Sequence, residues 1–241
     1  MLAFILPMQS TFRHVTSKHI SDFVLEQLEE AIFLKEILPD EQLPPERELA
    51  QMFNASRMVV REAIAELEKR GLVEKRLGAK GGTFVLPIAH KALEYAKEQI
   101  AEQKEELKEL LEFRAIVEPE AAGLAAEKIT DEELLALRKI LDLSSQDCTR
   151  EQFRALDVKF HLMIAHATRN SFIENAVRQI RKKINLGLDL LPFDDQVRET
   201  SNRVHEQLYD ALVRKDKNEA RELMRRHIDG TRQKLSRHIL S

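Results

Sequence analysis

Only one cysteine, Cys148, occurs in 241 residues, which excludes an intrachain disulfide framework and fits a reducing cytoplasm. Without a thiol partner in the chain, Cys148 reads as a small buried hydrophobe. No run approaches the roughly 18 consecutive apolar residues that span a bilayer. The apolar opening, residues 1–8, lacks the basic leader and small-residue cleavage pattern of a secretory signal, so a soluble, cytoplasmic protein is expected. Internal repeats and low-complexity tracts are also absent. Nor does global charge advertise nucleic acid, because the net charge is −3 although 33% of residues are charged. The charge that is present is uneven: residues 57–80 hold seven Lys or Arg against four Glu, and the rest of the chain is net acidic. Such a local bias can steer one surface toward phosphates.

Residues 17–34 place Ile20, Val24, Leu25, Leu28 and Ile32 at helical spacing, which predicts a first helix. Pro39 interrupts it. Pro44 and Pro45 then introduce a second helical segment over 46–53, where a missing N–H is harmless because first-turn amides have no intrahelical partner. Ser56 can cap a third helix over 57–70, with Val60, Ala63, Ile64 and Leu67 as its inner face. Gly71 suits the left-handed residue that ends such a helix. Two extended pieces, 72–76 and 83–86, flank the tip Leu77-Gly78-Ala79-Lys80-Gly81-Gly82, the pattern of a hairpin with an exposed loop. Helix, helix, turn, helix, hairpin is the order of a winged helix-turn-helix.

Pro87 cannot donate to a strand ladder and closes the hairpin. Beyond it the periodicity is helical throughout, with segments near 90–99, 105–127, 131–142, 150–168, 171–190, 198–214 and 217–235. Thr130 with Glu133, and Asp216 with Glu219, are helix-start signatures. Helices joined by short turns predict an antiparallel bundle. The expected fold is therefore mainly α: a winged helix-turn-helix over 12–87, and an antiparallel all-α bundle over 88–241.

Arg57 and Arg61 lie four residues apart and project from one side of the third helix, while Val60, Ile64 and Leu67 hold its other side in the core. An arginine fork matches a phosphate or the O6 and N7 edge of guanine, and Ser56 at the helix start can hold a phosphate. The bland alternative is that these arginines only pair with Glu46, Glu48 and Glu62 on a solvated surface. The run Leu43-Pro44-Pro45-Glu46-Arg47-Glu48-Leu49-Ala50, then Ser56-Arg57-Met58-Val59-Val60-Arg61-Glu62-Ala63, Leu67, Gly71-Leu72-Val73 and Gly81-Gly82-Thr83-Phe84-Val85 resembles the winged domain of the GntR-type bacterial transcription regulators. That resemblance implies DNA contact at Arg47, Ser56, Arg57, Met58 and Arg61, with Gly81 and Gly82 at the wing tip.

The helical half carries polar residues on or beside apolar stripes. Asp157 and His161 sit one turn apart beside Phe160 and Ile164; His205 falls with Leu208 and Leu212, and His227 with Ala220, Met224 and Ile228. Buried imidazole and carboxylate must be paired or metal-bound, and one divalent ion would satisfy all four. Mixed nitrogen and oxygen ligation leaves zinc, nickel and manganese open. Arg114, among Leu107, Leu110, Val117 and Ala121, asks for an anion, and a small organic carboxylate spanning Arg114 and an open metal position would answer. Arg198 and Asn202, about two turns and one turn before His205, are possible helpers.

Glu112-Phe113-Arg114, Asp157 to His161, Asn170, His205 with Leu208 and Ala211, and Asp216 with Ala220, Met224 and His227 resemble the FCD effector domain of the FadR-like branch of the same regulators. The resemblance implies metal ligation by Asp157, His161, His205 and His227 and carboxylate binding at Arg114, and gives Asn170 a capping role. The expected function is a ligand-responsive regulator, a repressor in most of the family, released from DNA by a small carboxylate. Since one recognition helix covers few base pairs, a homodimer on a palindromic operator is expected. The competing class is a metal-dependent enzyme acting on a carboxylate at the same residues.

Overall fold

A computed structural model describes residues 19–78, 81–87 and 104–239. The expected helix near 90–99, and Ala79 and Lys80 of the expected wing tip, lie outside the described residues. Helix α1 spans Ile20–Phe33, α2 Glu46–Met52 and α3 Arg57–Lys69, followed by strands β1 (Val73–Arg76) and β2 (Gly82–Val85). The predicted inner faces close on one another: Val24, Leu28, Leu49, Val60, Ile64 and Leu67 share one buried cluster with Val73 and Val85 of the hairpin. Ser56 Oγ accepts from the Val59 amide at 3.3 Å, and Gly71 takes φ +71°, so the recognition helix begins and ends as its sequence signals require.

The strands pair antiparallel from Val73↔Val85 to Arg76↔Gly82. Gln42 adds a bridge to Phe84 that the periodicity did not reveal. A Cβ at position 82 would lie 2.1 Å from Gln42 Nε2, so the Gln42 side chain would have to swing aside for any residue but glycine there.

The helical half comprises α4 (Lys104–Lys128), α5 (Asp131–Ser144), α6 (Arg150–Ala167), α7 (Ser171–Leu190), α8 (Asp195–Val213) and α9 (Lys217–His238). Thr130 and Glu133 form the reciprocal capping box. Asp216 accepts from the Asn218 and Glu219 amides, but the Glu219 carboxylate turns to Arg214 instead of returning to the cap. Asp194 accepts from the Val197 amide at 2.8 Å, which starts α8 three residues before its apolar stripe announces it. Asn170 caps α7 through the Phe172 and Ile173 amides. Ala122, Ala125, Phe160, Ile164, Leu208, Leu212, Met224 and Ile228 interlock as the main bundle core. Small residues on α4 let its neighbours approach closely, and the helix continues through the buried Pro119 despite the missing amide. Cys148 is half-buried, its sulfur 4.0 Å from the Ser144 carbonyl. Among the described residues no helix is long and apolar enough to cross a membrane.

Helix α7 also joins the two halves. Lys35 Nζ lies 2.5 Å from Asp189 Oδ2 with both side chains buried. Asn185 donates to the Phe33 carbonyl at 2.8 Å, and Arg178 pairs with Glu30 and Glu36. These partners sit at the end of α1 and the turn after it, where Lys35 takes φ +57°.

Candidate functional site

On the winged half, Arg47, Ser56, Arg57, Met58 and Arg61 are all exposed, Met58 at 69%. Their common surface opposes the buried stripe of α3. One acid organises the arginines: Glu46 Oε2 lies 3.0 Å from Arg61 Nη2 and 3.9 Å from Arg57 Nη2. The hydrogen bond from Arg61 holds the Glu46 carboxyl below its ordinary value. The sequence poses ion pairing and DNA contact as rivals, but an exposed pair of this kind is worth at most about 1 kcal/mol, so a phosphate can displace it. Removing the acid's charge should therefore strengthen DNA binding. Glu46→Gln is expected to raise affinity several-fold in gel-shift titrations at low salt, with the gain shrinking as salt screens it; weaker binding would mean that Glu46 positions Arg61.

In the helical half, α6, α8 and α9 bring Asp157, His161, His205 and His227 together, with one ligand atom from each all within 4.8 Å of one another. Asp157 Oδ1 is 3.9 Å from His161 Nε2 and 3.6 Å from His205 Nε2. Both imidazole nitrogens are buried without a hydrogen-bond partner, a state that is costly unless another group completes it. Burial pushes the His205 pKa down to about 3 against the pull of Asp157. Burial and the two neighbouring histidines likewise push His227 far down. Neutral imidazoles with an ionised carboxylate are the protonation states that bind a divalent ion, and the residues fit one.

Two further residues, neither of which the sequence places at the metal site, complete this arrangement. Arg181 of α7 pairs with Asp157 Oδ2, leaving Oδ1 turned toward the imidazoles. Burial would raise the Asp157 pKa, but Arg181 and the facing histidines outweigh it and hold the carboxyl well below its ordinary value. Glu118 Oε2 lies 2.6 Å from His161 Nδ1, close but without the alignment of a hydrogen bond, in the position of a carboxylate that stands behind a ligand imidazole. Arg181 was detectable: it stands among Val177, Ile180, Ile184 and Leu188 on the apolar stripe of its helix, the pattern that singled out Arg114. Glu118 carries the same signal, one turn after Arg114 and in line with Leu111, Ala121, Ala122 and Ala125 on the buried face of α4.

Arg114 is 1% exposed, and its Nε donates to Glu118 Oε1 at 2.6 Å. Its Nη1 is buried without a partner. A cavity of about 440 Å³ opens beside it, walled by Arg114, Arg154, Asp157, Arg181 and His227, with Thr200 and Ser201 of α8 on another side. Arg198 and Asn202 are not among its lining residues. Arg198 pairs with Asp195 at 3.0 Å, and Asn202 donates to the Ser144 carbonyl at 2.9 Å. The faces of α8 explain this: Thr200, Ser201 and Val204 turn to the cavity, while Asn202 turns to the end of α5.

Residues 20–85 match the family described as bacterial regulatory proteins, gntR family, and residues 109–230 match the FCD domain. The Uxu operon transcriptional regulator of Escherichia coli is 34% identical over 205 residues, 82% of this chain and 79% of that protein. The HTH-type transcriptional repressor NanR of Cronobacter sakazakii is 30% identical over 90% of this chain and 85% of its own length. Among solved structures, E. coli McbR/YncC superposes with a TM-score of 0.56 at 20% identity, covering 92% of this chain and 99% of that one, a likeness of fold alone. Neither matched region supports the metal-dependent enzyme weighed from the sequence. A winged DNA-binding head fused to a helical effector domain, matched in both halves, makes this chain a member of the gntR family of bacterial regulatory proteins, a DNA-binding transcription regulator with an FCD domain.

Proposed function

We propose that the protein is a homodimeric repressor of an inverted-repeat operator, released when a small organic carboxylate binds against a divalent ion in the helical domain. The observation that carries this reading is the placement of Asp157, His161, His205 and His227 within 4.8 Å of one another, beside a cavity into which Arg114 and Arg181 also face. Zinc and nickel suit the three imidazoles and one carboxylate, as does manganese. The ion supplies an attachment point for a carboxylate oxygen, and Arg114 adds a fork for the same group. Repression accords with the name of the NanR relative. On the DNA side, Arg47, Ser56, Arg57, Met58 and Arg61 meet the operator, with the glycines at 81 and 82 on the wing.

The route from cavity to head is short. Leu188 and Leu191 line the cavity, and between them Asp189 grips Lys35 of the head. Arg154 and Arg150 tie the Leu188 and Leu191 carbonyls to α6, each at 3.0 Å, the helix that carries Asp157 and His161. A ligand that moves these arginines changes the seat of the head. Coupling of this kind requires unequal ligand affinity for the two head placements.

Selection of bound sequences from random duplex DNA, repeated with a panel of carboxylates, tests partner and effector together. The expected result is an inverted repeat that at least one acid releases. Arg57→Ala or Arg61→Ala should each weaken specific binding by about 1–3 kcal/mol if it reads a base, or flatten the salt dependence if it holds a phosphate. Unchanged affinity in both variants would remove this face from the interface.

A further inference from the structure

Six Arg or Lys side chains line the cavity against one carboxylate, Asp157. Three of them form its inner wall. Arg114 and Arg181 are each 1% exposed, and Arg154 is part-buried, with its Nε enclosed and lacking a hydrogen-bond partner. The acids around them are Asp157, held by Arg181, Glu118, held by Arg114, and Asp189, which acts on Arg154 but is held by Lys35. Three guanidinium groups and the Lys35 ammonium thus face three carboxylates, an excess of one positive charge that a divalent ion would raise to three. A single carboxylate leaves most of that excess uncompensated in a poorly solvated wall, and uncompensated buried charge is costly.

Arg154 is the group still uncommitted to an acid. Its Nη2 donates to the Leu188 carbonyl at 3.0 Å, a neutral acceptor, while Arg181 is already spent on Asp157. On α6, Arg154 precedes His161 by seven residues, about 10 Å along the helix axis. Asp157, the nearest member of the quartet along the helix, follows Arg154 by one turn, about 4.5 Å along the axis. Arg154 therefore flanks the quartet on the side away from His161 and suits the second group of a ligand a few atoms long. Thr200, Ser201 and Thr231 supply hydroxyls in the same cavity.

Resting on the reading of this cavity as the carboxylate effector site, we propose that the effector is a hydroxylated dianion. Its first carboxylate meets the quartet and Arg114, and a second anionic group, carboxylate or phosphate, is taken by Arg154. Because that second contact draws Arg154 from the Leu188 carbonyl, the dianion is also the form that disturbs the end of α7, where Asp189 holds the head.

The test uses the full-length protein loaded with zinc and three probes with one carbon skeleton: gluconate, glucarate and 6-phosphogluconate, titrated calorimetrically at physiological salt. 6-Phosphogluconate is a dianion only while its phosphate is singly ionised, and otherwise carries about three negative charges. At least one of glucarate and 6-phosphogluconate should bind about tenfold or more tighter than gluconate, the effect of one added charge-assisted contact. Glucarate and 6-phosphogluconate then separate a carboxylate from a phosphate as the second group. Arg154→Met should bring the preferred dianion to within about threefold of gluconate while leaving gluconate itself little changed, and Arg154→Lys should keep part of the preference. Gluconate binding as tightly as both dianions, or a preference that survives in Arg154→Met, overturns the dianion while the carboxylate sensor stands. Should no acid of the three bind at millimolar concentration, both readings fall. The wild-type comparison decides the matter even if Arg154→Met does not fold.

Discussion

Arg114→Met is expected to destabilise the metal-free protein by about 3–5 kcal/mol, the cost of breaking a buried ion pair from one side. The sequence suggests that Arg114 can be removed with fold and metal intact, since it reads as a clamp waiting for an anion. Its fork is instead divided: Nε holds Glu118 at 2.6 Å, and Nη1 has no partner. Burial would raise the Glu118 pKa, but Arg114 and then His161 outweigh it and keep the carboxylate ionised. Without Arg114 that charge is stranded. Arg114→Met/Glu118→Gln should therefore recover most of the loss in urea unfolding, and the double variant isolates the clamp, because it should fold yet bind acids weakly. A single variant as stable as wild type would show that Glu118 does not depend on Arg114.

A comparable loss, in metal affinity, is expected at His205. Because it supplies one of the four clustered donors, His205→Ala should lower zinc affinity by more than the roughly 10–100-fold that follows loss of a partner behind a ligand. The ring also stacks on Phe160 with centroids 4.3 Å apart, so His205→Gln serves as the variant that keeps more of the volume. Elemental analysis after dialysis, with thermal unfolding in the presence of chelator, separates lost ligation from lost packing. Metal retained at wild-type stoichiometry in both variants and in His227→Ala would place the ion elsewhere.

What the sequence reveals here depends on whether a residue departs from its local pattern. Arg114, Asp157, His161, His205 and His227 each interrupt or border an apolar stripe, and polar groups in such places are conspicuous. Arg181 is equally conspicuous once its helix is read the same way. Glu118 lies on the same buried stripe of α4 as Arg114, between Leu111 and Ala121 and Ala122; what periodicity within one helix cannot show is that His161 of α6 stands opposite it. The winged half was legible because its turn residues are specific: Ser56 caps and Gly71 ends α3 as written. The Gln42 bridge and the seating of α1 on α7 were not, since both depend on pairings between segments that share no periodic signal. Arg198 and Asn202 show what spacing leaves open: it places both on the helix of His205, but in the structure they pair with Asp195 and the Ser144 carbonyl and do not line the cavity.

The Lys35–Asp189 pair has a consequence for how such regulators can be recombined. Each side chain is buried only because the other is present, so neither half carries a finished surface of its own. A hybrid that set this head on a foreign bundle would bring a lysine into a closed joint with no acid opposite. A buried charge without its partner is costly, so the joint would open. Grafts cut between the halves should fail unless the position facing Lys35 is transplanted too, so the unit of exchange is the head together with the last turn of α7, not the head alone.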